Sequence, residues 1–357
     1  MRSVAVTARV GRLLGICFAI CFVTGLLSHY QYQPWGWLPE PATPARGYRV
    51  TQGLHVITGI AAIPLLLVKL WLVYPKLFVW PPTRSIVNLL ERLSVGVLVA
   101  SALVELGTGF VNVLNWYPWP WPFVPVHRFL GYVVGGVLLL HVAIKLPTIV
   151  EALRRPISDG EGGATGLTRR GLLTASGAGV GLLVATTVGQ SVTSLQRLAL
   201  LAPRQPKDGP LGVAVNKTAA QARVTRVGAD WQLAVRGPRP YTIPLAALEA
   251  AAVHESRLPI ACVEGWSVDA QWRGVRLIDV VRRAGGDTGS KVRVASMQQR
   301  GAFRTSVIDG AQLEHALLAT HLNGVRLDLD HGYPVRLIAP DRAGVFNTKW
   351  IASVEVE

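Results

Sequence analysis

Cys262 is the only cysteine in the C-terminal half of this chain, and the other two, Cys17 and Cys21, lie in an apolar stretch far away in sequence. A thiol with no disulfide partner is either a small buried hydrophobe or a ligand. A second set of reactive side chains is unusual for its surroundings: His55 and His127 open long apolar runs, and Lys69 and His141 lie inside them. Ionisable groups in apolar spans are costly and point to function. They also repeat, since His55-x3-Gly59 with Lys69 fourteen residues after the histidine parallels His127-x3-Gly131 with His141 fourteen after. Fourteen residues are nearly four helical turns, so each pair shares a face at a separation of about 21 Å. Two imidazoles facing across a helical bundle, with glycine leaving room beside them, suit bis-histidine ligation of a haem iron. His55 and His127 form the expected pair, with His29 and His141 as alternatives.

The residues around Cys262 carry a further signal. Cys262-Val263-Glu264-Gly265-Trp266-Ser267, followed by Trp272-Arg273-Gly274-Val275-Arg276-Leu277, resembles the cofactor-binding segment of the sulfite-oxidase fold. His331-Gly332-Tyr333-Pro334-Val335-Arg336-Leu337 and Asn347-Thr348-Lys349-Trp350, with Leu322-Asn323-Gly324 before them, resemble the pterin-phosphate clamp of that family. The resemblance covers roughly residues 210–357. It implies a molybdopterin cofactor whose molybdenum is ligated by the Cys262 thiolate. It also implies a phosphate held by His331, Arg336 and Lys349, with Asn347 and Thr348 as further donors. Soft anionic sulfur suits the metal, and a guanidinium suits the phosphate. Asn216 falls where related enzymes carry a cofactor-proximal asparagine. Tyr241, Ser296, Gln298 and Arg304 are polar candidates for a substrate funnel, while Trp266 and Trp272 are expected to pack. The Cys262 block is more similar to the branch containing the periplasmic methionine-sulfoxide reductase than to sulfite oxidases, which carry paired arginines after the cysteine.

The elements that must position these groups divide the chain in two. Half of its 357 residues are hydrophobic and only 16% are charged, a balance more apolar than ordinary soluble proteins show. The net charge of +15 is spread through loops beside apolar runs. No stripe of basic and aromatic residues suits nucleic acid, so a membrane partner is expected and a nucleic-acid partner is not. Five apolar segments, approximately 13–29, 52–73, 86–114, 129–148 and 171–193, each approach the roughly 20 residues needed to cross a bilayer. Arg2, Arg9, Arg12, Lys76, Arg84, Arg154 and Arg155 fall on one side of these spans, which makes that side cytoplasmic. Five crossings then leave the C-terminal half outside. The run Trp116-Tyr117-Pro118-Trp119-Pro120-Trp121 suits an interfacial belt on the outer face. Asp159–Gly163 reads as a flexible linker. Thr168-Arg169-Arg170-Gly171-Leu172-Leu173 resembles a twin-arginine export signal, with a plain positively flanked helix end as the alternative.

The expected architecture is a membrane α-helical bundle of about five spans followed by an α+β domain of sulfite-oxidase type. Residues 1–150 are expected to form a four-helix membrane domain with haem b. Residues 151–200 carry the linker, the arginine pair and the fifth span, and 201–357 form an extracytoplasmic molybdopterin domain. Strands are expected at 222–227, 231–235, 241–243, 291–295 and 334–338, and helices at 245–253, 277–284 and 311–318. Glu105 in the third span is either a proton relay, with Lys69 as a conceivable partner, or a neutral hydrogen-bonded acid. Together these features imply a multi-pass membrane oxidoreductase that acts on an S- or N-oxide, small or protein-bound, and exchanges electrons with the quinone pool. The alternatives are a sulfite-oxidising enzyme of the same fold and a metal-free sensor domain on an anchor.

Overall fold

The computed structural model describes the chain apart from residues 1, 36, 39, 40, 81–84 and 158–167. The proposed linker at 159–163 and Arg84 lie outside the described residues. Two compact units emerge. The first comprises Met1–Gly25, Leu54–Val188 and Leu198–Pro203, and the second Leu26–Gly53, Gly189–Arg197 and Arg204–Glu357.

The first unit is built on α1 (Val4–Tyr32), α2 (Gly47–Leu77), α3 (Ile86–Val113), α4 (Phe123–Arg154) and α5 (Arg169–Thr187). All five are long and apolar enough to cross a membrane. The helices α1, α2 and α4 run several residues past the expected apolar segments, α3 coincides with its segment, and α5 ends at Thr187, short of the expected 193. Ser85 caps α3 by accepting from the Asn88 amide at 3.1 Å, and Thr168 caps α5 by accepting from Gly171 at 3.0 Å. Leu14, Ala62, Leu65, Leu66, Ala102 and Val134 pack at the centre of the bundle. Many other large apolar side chains, among them Leu67, Ile86 and Leu139, are exposed.

The second unit contains two sheets. One has the order β2 (Tyr241–Pro244), β1 (Gln232–Arg236), β10 (Ile351–Val356), β5 (Val292–Ser296), β6 (Thr305–Ile308). Its β1–β10 pair is parallel and its other pairs are antiparallel. The other sheet has the order β3 (His254–Ala261), β4 (Ser267–Arg276), β7 (Leu317–Leu322), β8 (Val325–Arg326), with β9 (Arg336–Ile338) also on β7. Leu233, Leu277, Val281, Val294, Leu318 and Leu337 are buried in one core, and Ile260, Trp266, Val268, Trp272 and Leu322 in another. Both tryptophans therefore pack, as expected.

Several sequence expectations are corrected. Residues 222–227 form no strand, because Thr218 and Gln221 make a reciprocal capping box that nucleates α6 (Ala219–Ala222) instead. The helix expected at 311–318 is only α9 (Gly310–His315), after which Leu317–Leu322 becomes the buried strand β7. A continuous apolar run suits a central strand as well as a helix, so periodicity alone does not separate the two. Helices α7 (Leu245–Ala250) and α8 (Leu277–Arg283) stand where expected.

Candidate active site

Cys262 is positioned by the tight connection between β3 and β4. Its amide donates to the Trp266 carbonyl at 2.9 Å, and the Gly265 amide donates back to the Cys262 carbonyl at 3.0 Å. Gly265 has φ +87°, a conformation that favours glycine at this turn. The thiol is buried, and Asn216 Nδ2 lies 2.6 Å from its sulfur. Glu264 is also buried, accepts from Trp266 Nε1 at 2.9 Å and lies 3.6 Å from the Arg204 guanidinium. Burial pushes the Cys262 thiol up, and the charge on Glu264 adds to that. Hydrogen bonds from the Glu264 amide and Asn216, with the charge of Arg204, oppose it. Burial outweighs the opposing hydrogen bonds and charge, so the thiol is held in its neutral form.

The second group sits on and after the 331–338 segment. Arg336 is buried on β9 and donates through Nε to the Asn347 carbonyl and through Nη1 to the His331 carbonyl, both at 3.3 Å. Its guanidinium carbon lies 5.5 Å from the centre of the Trp272 ring. Lys349 Nζ donates to the Lys217 carbonyl at 3.0 Å and to the Asp330 carbonyl at 2.6 Å. Gly332, at φ +111°, lets this turn close on Lys349, since a Cβ there would come within 3.0 Å of the lysine Cβ. Among the described residues, neither Arg336 nor Lys349 has a carboxylate within 4.0 Å. Burial holds Arg336 down to about 10, and burial with the charge of Arg336 holds Lys349 well below its ordinary range. Asp328 opposes this shift at Arg336, and Asp328 and Asp330 oppose it at Lys349, without overcoming burial.

His331 is held by two protein contacts. Its Nε2 donates to the Val213 carbonyl at 3.1 Å, and its Nδ1 faces Asp328 Oδ2 at 2.9 Å. Both ring nitrogens are engaged within the protein, so the fully buried imidazole braces the cationic corner. Asn347 Oδ1 accepts from the Ala339 amide at 3.0 Å, while its buried Nδ2 has no protein partner. Thr348 is buried against Ser306 at 2.5 Å. The Oδ1 of Asn216 and the Oγ of Ser267 are likewise buried without a protein partner.

The segment Val213–Lys217 joins the two groups. Val213 accepts from His331, Asn216 contacts Cys262, and Lys217 accepts from Lys349. Asn216 lies in a short motif, and Lys217, Asp328 and Arg204 carry no signal of their own in the sequence. Lys217 Nζ donates to the Arg300 carbonyl at 2.6 Å, and Arg300 and Arg304 both act on its charge. Arg304 is exposed and hydrogen-bonds the 299–301 backbone. The other funnel candidates are taken up in the fold: Tyr241 donates to the Val280 carbonyl at 2.8 Å on the edge strand β2, Ser296 to the Lys349 carbonyl at 2.7 Å and Gln298 to the Ala302 carbonyl at 2.7 Å.

Comparison with known proteins decides what this site belongs to. Residues 220–357 match the family described as the oxidoreductase molybdopterin binding domain. This segment is similar to molybdopterin-binding oxidoreductase domains. The chain is 30% identical over 129 residues to the uncharacterized oxidoreductase YuiH of Bacillus subtilis, covering 35% of this chain and 64% of that protein. It is 33% identical over 97 residues to mitochondrial sulfite oxidase of Rattus norvegicus, covering 25% of this chain and 18% of the relative. It is 30% identical over 141 residues to the protein-methionine-sulfoxide reductase catalytic subunit MsrP of Xanthomonas axonopodis, covering 35% and 44%. The chain thus spans less than two thirds of the length of each relative. The residues present fit the cofactor: a buried thiol, a buried arginine and a half-buried lysine without carboxylate partners among the described residues, and the unpaired polar atoms of Asn216, Ser267 and Asn347 offer donors and acceptors to a large polar ligand.

In the first unit, the rings of His55 and His127 face each other with centroids 6.0 Å apart and planes at 82°. His55 Nδ1 lies 2.8 Å from the Cys21 carbonyl, to which it donates. His127 Nε2 lies 3.2 Å from Glu105 Oε1, and its buried Nδ1 has no protein partner. Glycines make room on both sides, since a Cβ on Gly25 would come within 3.0 Å of His55 and one on Gly109 within 3.3 Å of His127. Glu105 therefore pairs with His127. Lys69, conceived as its partner, instead donates to the Thr7 carbonyl at 2.8 Å. His29 closes α1 in the second unit, and His141 lies in α4.

Proposed function

We propose that this chain is a membrane-anchored molybdenum oxidoreductase that reduces an S- or N-oxide, small or protein-bound, outside the membrane with electrons from the quinone pool passed through haem b. The observation that carries the reading is the link through Val213–Lys217, which ties the Cys262 thiol to the Arg336–Lys349 cation pair. When bound, the molybdenum cofactor supplies a two-electron couple for oxygen-atom transfer. Cys262 supplies the protein sulfur, and Asn216 fixes that sulfur with its amide. Arg336 and Lys349 hold the terminal phosphate, and His331 with Asp328 keeps the Lys349 turn in place.

A two-electron site fed by a one-electron carrier needs a relay, and the His55–His127 pair supports one. Their facing rings accommodate a metal between them. The His127–Glu105 contact follows the carboxylate–histidine pattern in which the second ring nitrogen is held for a metal. Five spans with a cytoplasmic N-terminus place residues 204–357 outside. Arg169 and Arg170 occupy the first turn of α5, where the helix dipole disfavours cations. Helix stability therefore does not explain the pair, which supports its reading as an export signal.

A sulfite-oxidising enzyme is the second reading. The observation that favours it is the convergence of Lys217, Arg300 and Arg304, which offers an anion positive charge. Molybdenum, pterin and haem content of the purified protein, with a screen of S-oxides, N-oxides and sulfite, tests both. Pterin and haem with oxide reduction support the first reading. Oxidation of sulfite without oxide reduction supports the second, and protein purified without pterin overturns both.

A further inference from the structure

The second unit takes in chain from outside the segment that matches the molybdopterin family, and one buried carboxylate fixes where it lies. Asp341 accepts at Oδ1 from the Tyr48 amide and from Gln31 Nε2 at 2.8 Å, and its own amide donates to the Ala45 carbonyl at 3.2 Å. Gly47 permits this approach, since a Cβ there would come within 2.7 Å of the same carboxylate oxygen. The latch brings Tyr48, and Tyr32 beside Gln31, onto the turn that follows β9. Tyr48 is buried against Ala261 and Ala343, whose backbones form a parallel bridge, and Tyr32 and Phe346 pack on the same cluster. Ala261 directly precedes Cys262, and Tyr48 is near enough to Cys262 for the two to interact electrostatically.

Tyr32, Phe303 and Phe346 close a triangle of rings. Their centroids lie 5.0 Å apart for Tyr32–Phe346, 5.5 Å for Phe303–Phe346 and 6.1 Å for Tyr32–Phe303. Tyr32 and Phe346 are half-buried, but Phe303 is 40% exposed and has φ +60°, a left-handed conformation that is costly for a bulky side chain. Packing alone does not call for a phenylalanine that is both strained and exposed. We propose that Tyr32, Phe303 and Phe346 form the specificity collar of the Cys262 site and take the apolar aryl or alkyl substituent of an S-oxide, with Tyr48 as the inner wall. This rests on the oxide-reducing reading above. Rings suit such a group through dispersion and through contact with its sulfur, whereas a ring face, negative in its quadrupole, does not attract a sulfite dianion. Tyr32 and Tyr48 come from residues 26–53, so part of the substrate wall is supplied by chain outside the segment of the cofactor motifs.

The test uses the full chain in lipid nanodiscs, with empty discs as the reference. Methyl phenyl sulfone, which carries the aryl group and binds without turnover, is titrated by calorimetry. Phe303→Gly should weaken its binding roughly tenfold, the scale of one lost ring contact. The same variant should keep a Tm at or above that of wild type, because glycine relaxes the left-handed backbone. Phe303→Leu, which keeps an apolar filler but no ring, should show the same loss of binding and serves if the glycine variant does not fold. In turnover, both variants should raise KM for methyl phenyl sulfoxide roughly tenfold, with kcat and the KM for dimethyl sulfoxide within about twofold of wild type. Wild type that does not bind the sulfone, binding unchanged in the folded variants, or an equal rise of both KM values overturns the collar while leaving the reaction in place. Wild type that reduces neither oxide overturns the reaction proposed above, and this inference with it.

Discussion

Asn216 Nδ2 lies 2.6 Å from the sulfur of Cys262, and the carbonyl of the next residue, Lys217, accepts from Lys349. One short segment therefore fixes both the metal-ligand candidate and the phosphate corner. Its geometry separates the two tasks, since Asn216 acts on the sulfur and Lys217 on the clamp.

Cys262→Ser should leave pterin content near that of wild type and reduce activity per bound pterin by roughly a hundredfold or more. A hydroxyl is a harder and far less acidic ligand than a thiol. Arg336→Ala should do the reverse, lowering pterin occupancy while the loaded fraction stays active. Pterin fluorescence with turnover per pterin checks both, and normal turnover in Cys262→Ser would show the thiol to be core packing.

Phosphate should stabilise the cofactor-free protein. Arg336 and Lys349 are held below their ordinary pKa values by burial, so a bound anion relieves a cost already present in the fold. At a concentration of about one hundred times its Kd, phosphate should add about 2.7 kcal/mol, seen as a rise in Tm. The rise should vanish in Arg336→Met. A rise of equal size in that variant would place the anion elsewhere.

His55→Ala and His127→Ala should each abolish a low-spin b-type spectrum, while His141→Ala leaves it largely intact. Glu105→Gln should keep the haem and shift its reduction potential, because the carboxylate raises the basicity of its histidine partner. Haem that survives His127→Ala and is lost in His141→Ala would move the site deeper into the bundle.

Replacing Arg169 and Arg170 by Lys should block export of residues 204–357 without disturbing insertion of α1–α4. Protease access to the C-terminal domain in spheroplasts reads this directly. Unchanged export would leave the arginines as ordinary cytoplasmic flanks.

Local order alone determined much of this protein. Five apolar runs of bilayer length dictate five long helices, because backbone hydrogen bonding is satisfied within each segment. The blocks around Cys262, Arg336 and Lys349 carried the cofactor site, because a metal sulfur and a phosphate clamp demand those residue types. What tertiary structure decided is which partners those groups meet. Nothing in the spacing of Asn216 and Cys262, or of Glu105 and His127, announces contact, since both pairs close only after separate elements pack. His331 shows the same limit: its motif is legible, but Val213 and Asp328 claim both ring nitrogens. The strand β7 was hidden because an apolar run buried on both faces loses the alternation that marks a half-exposed strand. Most of all, chain order placed residues 26–53 with the membrane helices. Packing assigned them to the unit that holds Cys262, because the hydrogen-bond partners of Gln31, Tyr48, Arg49 and Gln52 lie more than two hundred residues away in sequence.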